Sequence, residues 1–132
     1  MRPLAAALLL AAPAAAQDPL PGAGEGEAIF MTHCAVCHGV DAGGSGPMAP
    51  LLSVPPPALT GLRDAEGAFP RFRVMRRIDG RDPFLAHGGE MPVWGDVLDG
   101  PRIMVDGPGG QPILVSENVA ALTAWLESIQ AD

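Results

Sequence analysis

The chain has 132 residues, of which 17 are glycine, 15 are proline and only two are cysteine. Its formal net charge is −7 at pH 7 and it contains no lysine, which makes the chain a poor candidate for nucleic-acid binding, since that function needs a basic surface. The hydrophobic fraction of 48% is too high for a disordered tail. Because only 5% of the residues are aromatic, a domain of this size needs another source of buried surface.

Residues 1–16 have the pattern of a secretory signal peptide. One arginine precedes an Ala/Leu-rich run, and Ala14-Ala15-Ala16 forms a small-residue cleavage site before Gln17. The apolar run is too short to cross a bilayer as an ordinary helix, although a retained anchor is the alternative. We therefore expect a single domain over residues 17–132, exported to the periplasm as a soluble protein, with no membrane span after cleavage.

The first predicted helix covers residues 25–38 and ends in Cys34-Ala35-Val36-Cys37-His38. Two thiols three residues apart, followed directly by a histidine, form the attachment motif of c-type haem. Residues i and i+3 share one face of a helix, so both sulfur atoms can reach neighbouring vinyl groups of a porphyrin while His38 binds the iron. A Cys34–Cys37 disulfide or a redox-active dithiol is the alternative, but the chain lacks the βαβ pattern that such a dithiol accompanies.

Residues 39–61 are rich in glycine and proline, which indicates a long loop that wraps a bound group or has a function of its own. A second helix is predicted over residues 69–78, with Pro70 in its first turn and Asp79-Gly80 at its end. Its apolar stripe consists of Phe72, Met75 and Ile78. Five arginines lie within residues 71–81; they form either a solvated helix face or a surface that docks a partner or pairs with haem carboxylates.

Two short apolar runs, Ile103-Met104-Val105 and Ile113-Leu114-Val115, are separated by Gly/Pro turn residues. This pattern predicts a small β-hairpin near residues 103–115, with an irregular loop as the alternative. A third helix is predicted over residues 117–129, with Ser116 as its N-cap. Its buried face consists of Val119, Leu122, Trp125, Leu126 and Ile129.

Met91 is the predicted second axial ligand of the iron. It lies in the non-helical loop Gly88-Gly89-Glu90-Met91-Pro92, where the backbone can bring a thioether close to the metal, and a soft sulfur ligand suits low-spin haem iron. Met48, His87 and His33 are the main alternatives. The remaining candidates fit less well because they lie on a predicted apolar helix face, beside the motif helix or in a β-type run: Met75, Met31 and Met104.

The chain resembles the class I c-type cytochromes, in particular the small bacterial members with one haem. The resemblance depends on the motif from Cys34 to His38, on Met91-Pro92 in a late loop, and on a closing helix with Leu122 and Trp125. It implies a mostly α cytochrome c fold, with three or more helices and long Gly/Pro loops around one covalent haem c. It also implies that Gly26 and Phe30 of the first helix cross the last helix, and that the carbonyl of Pro47, in Gly46-Pro47, accepts a hydrogen bond from His38.

Ligation of the iron by His38 and Met91 would leave no open position for a substrate, and it raises the reduction potential. We therefore predict a periplasmic single-electron carrier of a respiratory chain, not itself an enzyme. The resemblance implies two kinds of redox partner: a donor dehydrogenase or quinol-oxidising complex, and an acceptor oxidase or reductase. The alternatives are a haem c subunit of a larger periplasmic oxidoreductase, suggested by the additional stretch 97–115, and a gas sensor that displaces Met91.

Overall fold

The computed structural model describes residues 22–81 and 91–131. The predicted signal peptide and the segment that contains His87 lie outside these residues. Within them the chain is mostly helical, as predicted, and no helix there is both long and apolar enough to span a membrane. The elements in chain order are α1 (Ala23–His33), α2 (Ala35–His38), α3 (Arg71–Asp79), β1 (Arg102–Asp106), β2 (Pro112–Ser116) and α4 (Glu117–Ser128).

The helix that carries the haem motif begins earlier than predicted and is interrupted at Cys34. This residue ends α1 and precedes α2, with φ −109° and ψ −35°, so its φ departs from the usual helical value of about −63°. The hydrogen bonding nevertheless continues through it: the Cys34 N–H donates to the Phe30 carbonyl at 2.8 Å, and the His38 N–H donates to the Cys34 carbonyl at 2.9 Å. The motif is therefore a separate helical turn held firmly at the end of α1.

The first and last helices cross through Gly26 and Phe30, as the resemblance implied. The rings of Phe30 and Trp125 lie 4.4 Å apart between centroids, and both Phe30 and Leu122 are fully buried. Gly26 allows the close approach, because a Cβ atom there would lie 2.7 Å from the carbonyl carbon of Ala121 and 2.8 Å from the Cβ of Trp125. This crossing forms the centre of the core and fixes the direction in which α1 presents the haem motif.

Helix α3 begins at Arg71 and ends at Asp79, so its predicted bounds of 69–78 were displaced. Pro70 precedes the helix as its N-cap instead of lying in its first turn, and Gly80 ends it with a left-handed φ of 67°. The buried side chains of α3 are Val74, Met75 and Ile78. Phe72 was wrongly predicted on this face; it is half-buried and lies beneath the guanidinium of Arg76, 5.5 Å from the ring centroid.

The predicted hairpin is confirmed as an antiparallel pair of strands. Its register places Met104 opposite Leu114 and Ile103 opposite Val115. Because side chains alternate along a strand, Ile103 and Val115 pack against the core while Met104 and Leu114 are exposed.

Helix α4 follows β2 directly and has Ser116 as its predicted N-cap. The Ser116 Oγ accepts a hydrogen bond from the Val119 N–H at 3.4 Å and donates one to the Leu98 carbonyl. The helix ends at Ser128, so Ile129, predicted as its last residue, lies just beyond it as a half-buried residue against the core.

Candidate haem site

The two thiols and the imidazole of the motif lie together on the short helix α2 and the residue before it. Cys34 and His38 are buried, with 8% of each exposed, and Cys37 is half-buried. Burial raises the pKa of the Cys34 thiol to about 11, with a smaller contribution from the charge of Cys37. Redox-active dithiols depend on a lowered thiol pKa, so this environment does not favour the dithiol alternative.

The C-terminal end of α2 is capped by the chain that follows it. The last carbonyls of a helix have no partner within that helix, and here three of them accept backbone N–H groups from alternate residues of the next loop. These hydrogen bonds join Met48 to Val36 at 2.9 Å, Gly46 to Cys37 at 3.0 Å and Gly44 to His38 at 2.7 Å. The haem motif is thus held from both ends, by α1 and by this loop.

The carbonyl that orients His38 belongs to Pro57. It lies 3.1 Å from His38 Nδ1, and because a carbonyl can only accept a hydrogen bond, Nδ1 must carry the proton. The Nε2 atom then keeps its lone pair, which is the state of a metal-binding imidazole. The prediction that Pro47 accepts this hydrogen bond was wrong: Pro47 lies between Gly46 and Met48, in the stretch that caps α2.

The loop brings Pro57 to His38 through contacts between distant parts of the sequence. The Leu59 N–H donates to the Ala42 carbonyl at 2.8 Å, which pairs the proline-rich segment with the turn after α2. Gly44 packs against the same segment with a left-handed φ of +86°, and a Cβ atom there would lie 3.1 Å from the Pro57 carbonyl carbon. Pro57 was not predicted from the sequence, although three consecutive prolines at 55–57 mark a stiff, extended segment suited to holding one carbonyl in place.

Met91 lies in a loop that is fastened to both α3 and the end of α1. The N–H groups of Trp94 and Gly95 donate to the last carbonyls of α3, at 3.3 Å to Ile78 and 2.9 Å to Asp79. The Trp94 ring contacts the His33 ring, with 5.5 Å between centroids. Since Trp94 is three residues after Met91 and His33 directly precedes Cys34, this contact brings the Met91 loop to the haem motif.

The other candidate ligands have different surroundings. His33 is half-buried against Trp94, and His87 lies outside the described residues. Met91 is half-buried and packs against the core. Met75 is buried within the core, as expected for its helix face, and the other three methionines of the described residues are exposed: Met31, Met48 and Met104.

The arginines of residues 71–81 form several contacts within the chain. Arg71 Nε lies 2.6 Å from Glu127 Oε2, which joins α3 to α4. Arg81 contacts Asp79 at 2.7 Å and Asp96 at 3.6 Å. Two of the five arginines are therefore paired with carboxylates, and only the Arg71 pair joins two helices, whereas Arg73 and Arg77 are exposed.

The side chains of the site fit a covalently bound haem. They supply two thiols three residues apart on one helical turn, an imidazole whose proton is fixed on Nδ1, and a half-buried thioether in a loop held beside the motif. Together with the crossing of α1 and α4, they define a mostly helical haem-binding domain. The sequence profile of the family described as Cytochrome c matches residues 23–130, and the chain belongs to that family.

Comparison with curated proteins and comparison with solved structures each found no match. Family membership establishes the cofactor as covalently attached haem c with iron, and the activity as haem-based electron transfer. The fold prediction of a class I c-type cytochrome is therefore confirmed.

Proposed function

We propose that this chain is a periplasmic single-electron carrier, with haem c bound through Cys34 and Cys37 and its iron ligated by His38 and Met91. The observation that carries the proposal is the pairing of an oriented His38 with a half-buried Met91 whose loop contacts the haem motif through Trp94 and His33. When bound, the haem supplies the Fe(III)/Fe(II) couple.

The chain's own residues keep the site unchanged between the two oxidation states. The Pro57 carbonyl fixes the His38 ring and raises the basicity of Nε2 by accepting a hydrogen bond from Nδ1–H. The backbone hydrogen bonds at the ends of α2 and α3 hold the two ligand-bearing segments. A site held in this way needs little rearrangement when an electron arrives or leaves, which is the property a carrier requires.

The location and partners form part of the proposal. The signal pattern of residues 1–16 supports export to the periplasm. There the carrier would receive electrons from a dehydrogenase or a quinol-oxidising complex and pass them to an oxidase or reductase. Such encounters are brief and use small interfaces, which suits a domain of this size.

The visible spectrum of the ferric holoprotein tests the ligand assignment. Met91→Ala should remove the methionine–iron charge-transfer band and leave a high-spin or solvent-ligated iron, because no other described methionine is half-buried beside the motif. Met48→Ala is the matched control, since Met48 is also a loop methionine but is exposed; its spectrum should equal that of the native protein. Retention of the band in Met91→Ala, or its loss in Met48→Ala, would contradict the assignment.

A second candidate function is that of a haem subunit in a larger periplasmic oxidoreductase. The outer face of the hairpin favours this function, because Met104 and Leu114 lie directly opposite each other and both are exposed. Adjacent exposed apolar side chains of this kind offer a surface for a partner subunit. Co-purification of the untagged holoprotein at native expression level distinguishes the two. A chain that isolates alone supports the free carrier, whereas a constant catalytic partner supports the subunit.

A further inference from the structure

The carbonyl that orients His38 belongs to a loop without regular structure. No helix or strand occurs within residues 52–70, and Pro57 itself is exposed, so its ring adds little packing to hold it in place. The partner of a metal-ligand histidine must nevertheless keep a fixed position, because it sets the orientation of the imidazole. Contacts elsewhere in the loop must therefore hold the Pro57 carbonyl 3.1 Å from His38 Nδ1.

Gln130 lies two residues after the end of α4 and binds this loop with both polar atoms of its side-chain amide. Its Nε2 donates to the Leu59 carbonyl at 2.7 Å, and its Oε1 accepts from the Leu62 N–H at 2.6 Å. The Nε2 atom also donates to the Leu126 carbonyl at 2.7 Å, in the last turn of α4, where carbonyls have no partner within the helix. Gln130 therefore joins the loop to the C-terminal end of α4.

The backbone after α4 adds a further hydrogen bond to the same part of the loop. The Ala131 N–H donates to the Thr60 carbonyl at 2.8 Å, and the side chains of Leu59 and Leu62 pack against the core. Residues 59–62, which we call the tether segment, are thus bonded at three backbone positions to the chain that follows α4. A loop held at nearly successive residues in this way has little freedom to move.

Leu59 connects the tether segment to the histidine side of the site. Its carbonyl accepts from Gln130, and its N–H donates to the Ala42 carbonyl at 2.8 Å, in the turn that follows α2. Only one residue separates Leu59 from Pro57, and the proline ring fixes the backbone φ at Pro57 itself. A restraint on Leu59 is therefore passed to the Pro57 carbonyl through few free dihedral angles.

Helix α4 thereby fixes both partners of the hydrogen bond on His38. It positions the haem motif through its crossing with α1, where the ring centroids of Phe30 and Trp125 are 4.4 Å apart. Through Gln130 it also holds the loop that carries the Pro57 carbonyl. The distance between the imidazole and its acceptor is therefore set within one connected unit, and the Gln130 amide is the link that closes it.

We propose that Gln130 is a positioning residue for the axial ligand His38, acting through the tether segment and the Pro57 carbonyl. The proposal rests on the proposed function, because it requires His38 to ligate the iron. The surroundings of the side chain select an amide: two carbonyls need donors and one N–H needs an acceptor, and a side-chain amide supplies two donors and an acceptor on one planar group. Neither a thioether nor a carboxylate of similar length can make all three hydrogen bonds.

Hydrogen exchange in the ferrous holoprotein, followed by NMR, tests each link of this connection. Gln130→Met keeps the side-chain length but removes its hydrogen bonds, and we expect three protons to exchange at least about fivefold faster than in the native protein: those on the backbone nitrogens of Leu59 and Leu62 and on Nδ1 of His38. The Cys34 N–H, which is bonded to α1, should exchange at the native rate. The reduction potential should also rise, since an imidazole that lacks this hydrogen bond is less basic and stabilises ferric iron less.

Two further variants separate positioning from general stability. Ser128→Ala is the matched control, because it removes a side-chain hydrogen bond at the same end of α4, from Oγ to the Trp125 carbonyl at 2.7 Å. Its exchange rates in the tether segment and its reduction potential should equal those of the native protein. Gln130→Glu, as a carboxylate, keeps an acceptor for the Leu62 N–H but has no donor for the carbonyl of the tether segment. It should therefore leave the Leu62 N–H protected while the His38 Nδ1–H exchanges faster.

Two results would overturn the proposal. The first is a native exchange rate at His38 Nδ1 in Gln130→Met although the Leu62 N–H exchanges faster, since the loop would then be loosened without effect on the ligand. The second is equal acceleration at His38 Nδ1 and at the Cys34 N–H, which would show general destabilisation. The proposed function is checked in the native protein, where the haem ring current shifts the resonances of a ligand imidazole. Unshifted His38 resonances would refute ligation by His38, whereas shifted resonances confine any failure to the role of Gln130.

Discussion

Gly26 provides the most direct test of how the fold positions the haem motif. In Gly26→Ala the new methyl group would overlap the Ala121 carbonyl and lie 2.8 Å from the Cβ of Trp125. Ordinary carbon contacts are about 3.5–4.0 Å, so α1 and α4 must separate by about 1 Å. Overpacking of this kind costs about 1–3 kcal/mol, and we expect the upper half of that range because the obstacle is backbone, which cannot rotate away.

The control for this prediction lies two residues earlier in the same helix. A Cβ atom at Gly24 would meet nothing within 4 Å, so Gly24→Ala should gain only the helix propensity of alanine, up to about 1 kcal/mol. The free energy of unfolding of both holoproteins, measured in urea, should therefore change in opposite directions. Equal stability of the two variants would refute the close crossing at Gly26.

Two further predictions concern the loop after α2, which brings the Pro57 carbonyl to His38, and the end of α3. Gly44→Ala should displace the Pro57 carbonyl from its hydrogen bond with His38 and raise the reduction potential, because a less basic imidazole stabilises ferric iron less. Gly43→Ala is the control and should leave the potential unchanged, since a Cβ atom there would meet only the flexible carboxylate of Asp41. An equal reduction potential in the two variants would contradict the role of the loop. The hydrogen bond from Arg81 holds the pKa of Asp79 below its usual value, so the folded state binds fewer protons than the unfolded state, and the associated stability is lost as the pH falls through the folded-state pKa. Asp79→Asn should therefore be less stable than the native protein at pH 7, and its stability should fall less steeply as the pH is lowered, as measured by urea unfolding across pH. If the variant and the native protein lose stability equally in acid, the contribution of the Asp79–Arg81 pair is contradicted.

The parts of the fold that the sequence predicted well depend on local periodicity. The buried face of α4 follows from apolar residues at helical spacing, and the hairpin from two β-type runs with turn residues between them. For these two elements a short stretch of sequence contains the whole signal. The contact of Gly26 and Phe30 with Trp125 joins the two ends of the chain, and it was expected only because the chain resembles the class I c-type cytochromes.

The orientation of His38 could not be predicted in the same way. Pro47 and Pro57 both lie in a loop without periodicity, and each has a carbonyl that could accept a hydrogen bond from Nδ1–H. Which of them reaches His38 depends on backbone contacts across the loop, chiefly the hydrogen bond from Leu59 to Ala42 and the packing of Gly44. The break of the motif helix at Cys34 was not predicted because the residues on both sides of it favour a helix.

Carbon monoxide binding to the ferrous holoprotein tests the closed coordination of the iron most directly. If His38 and Met91 occupy both axial positions, the native protein should remain unchanged on mixing with carbon monoxide in the absence of denaturant, whereas Met91→Ala should bind it rapidly. Rapid binding by the native protein would contradict the account, because it would reveal an open or labile position suited to a gas sensor or a catalytic haem.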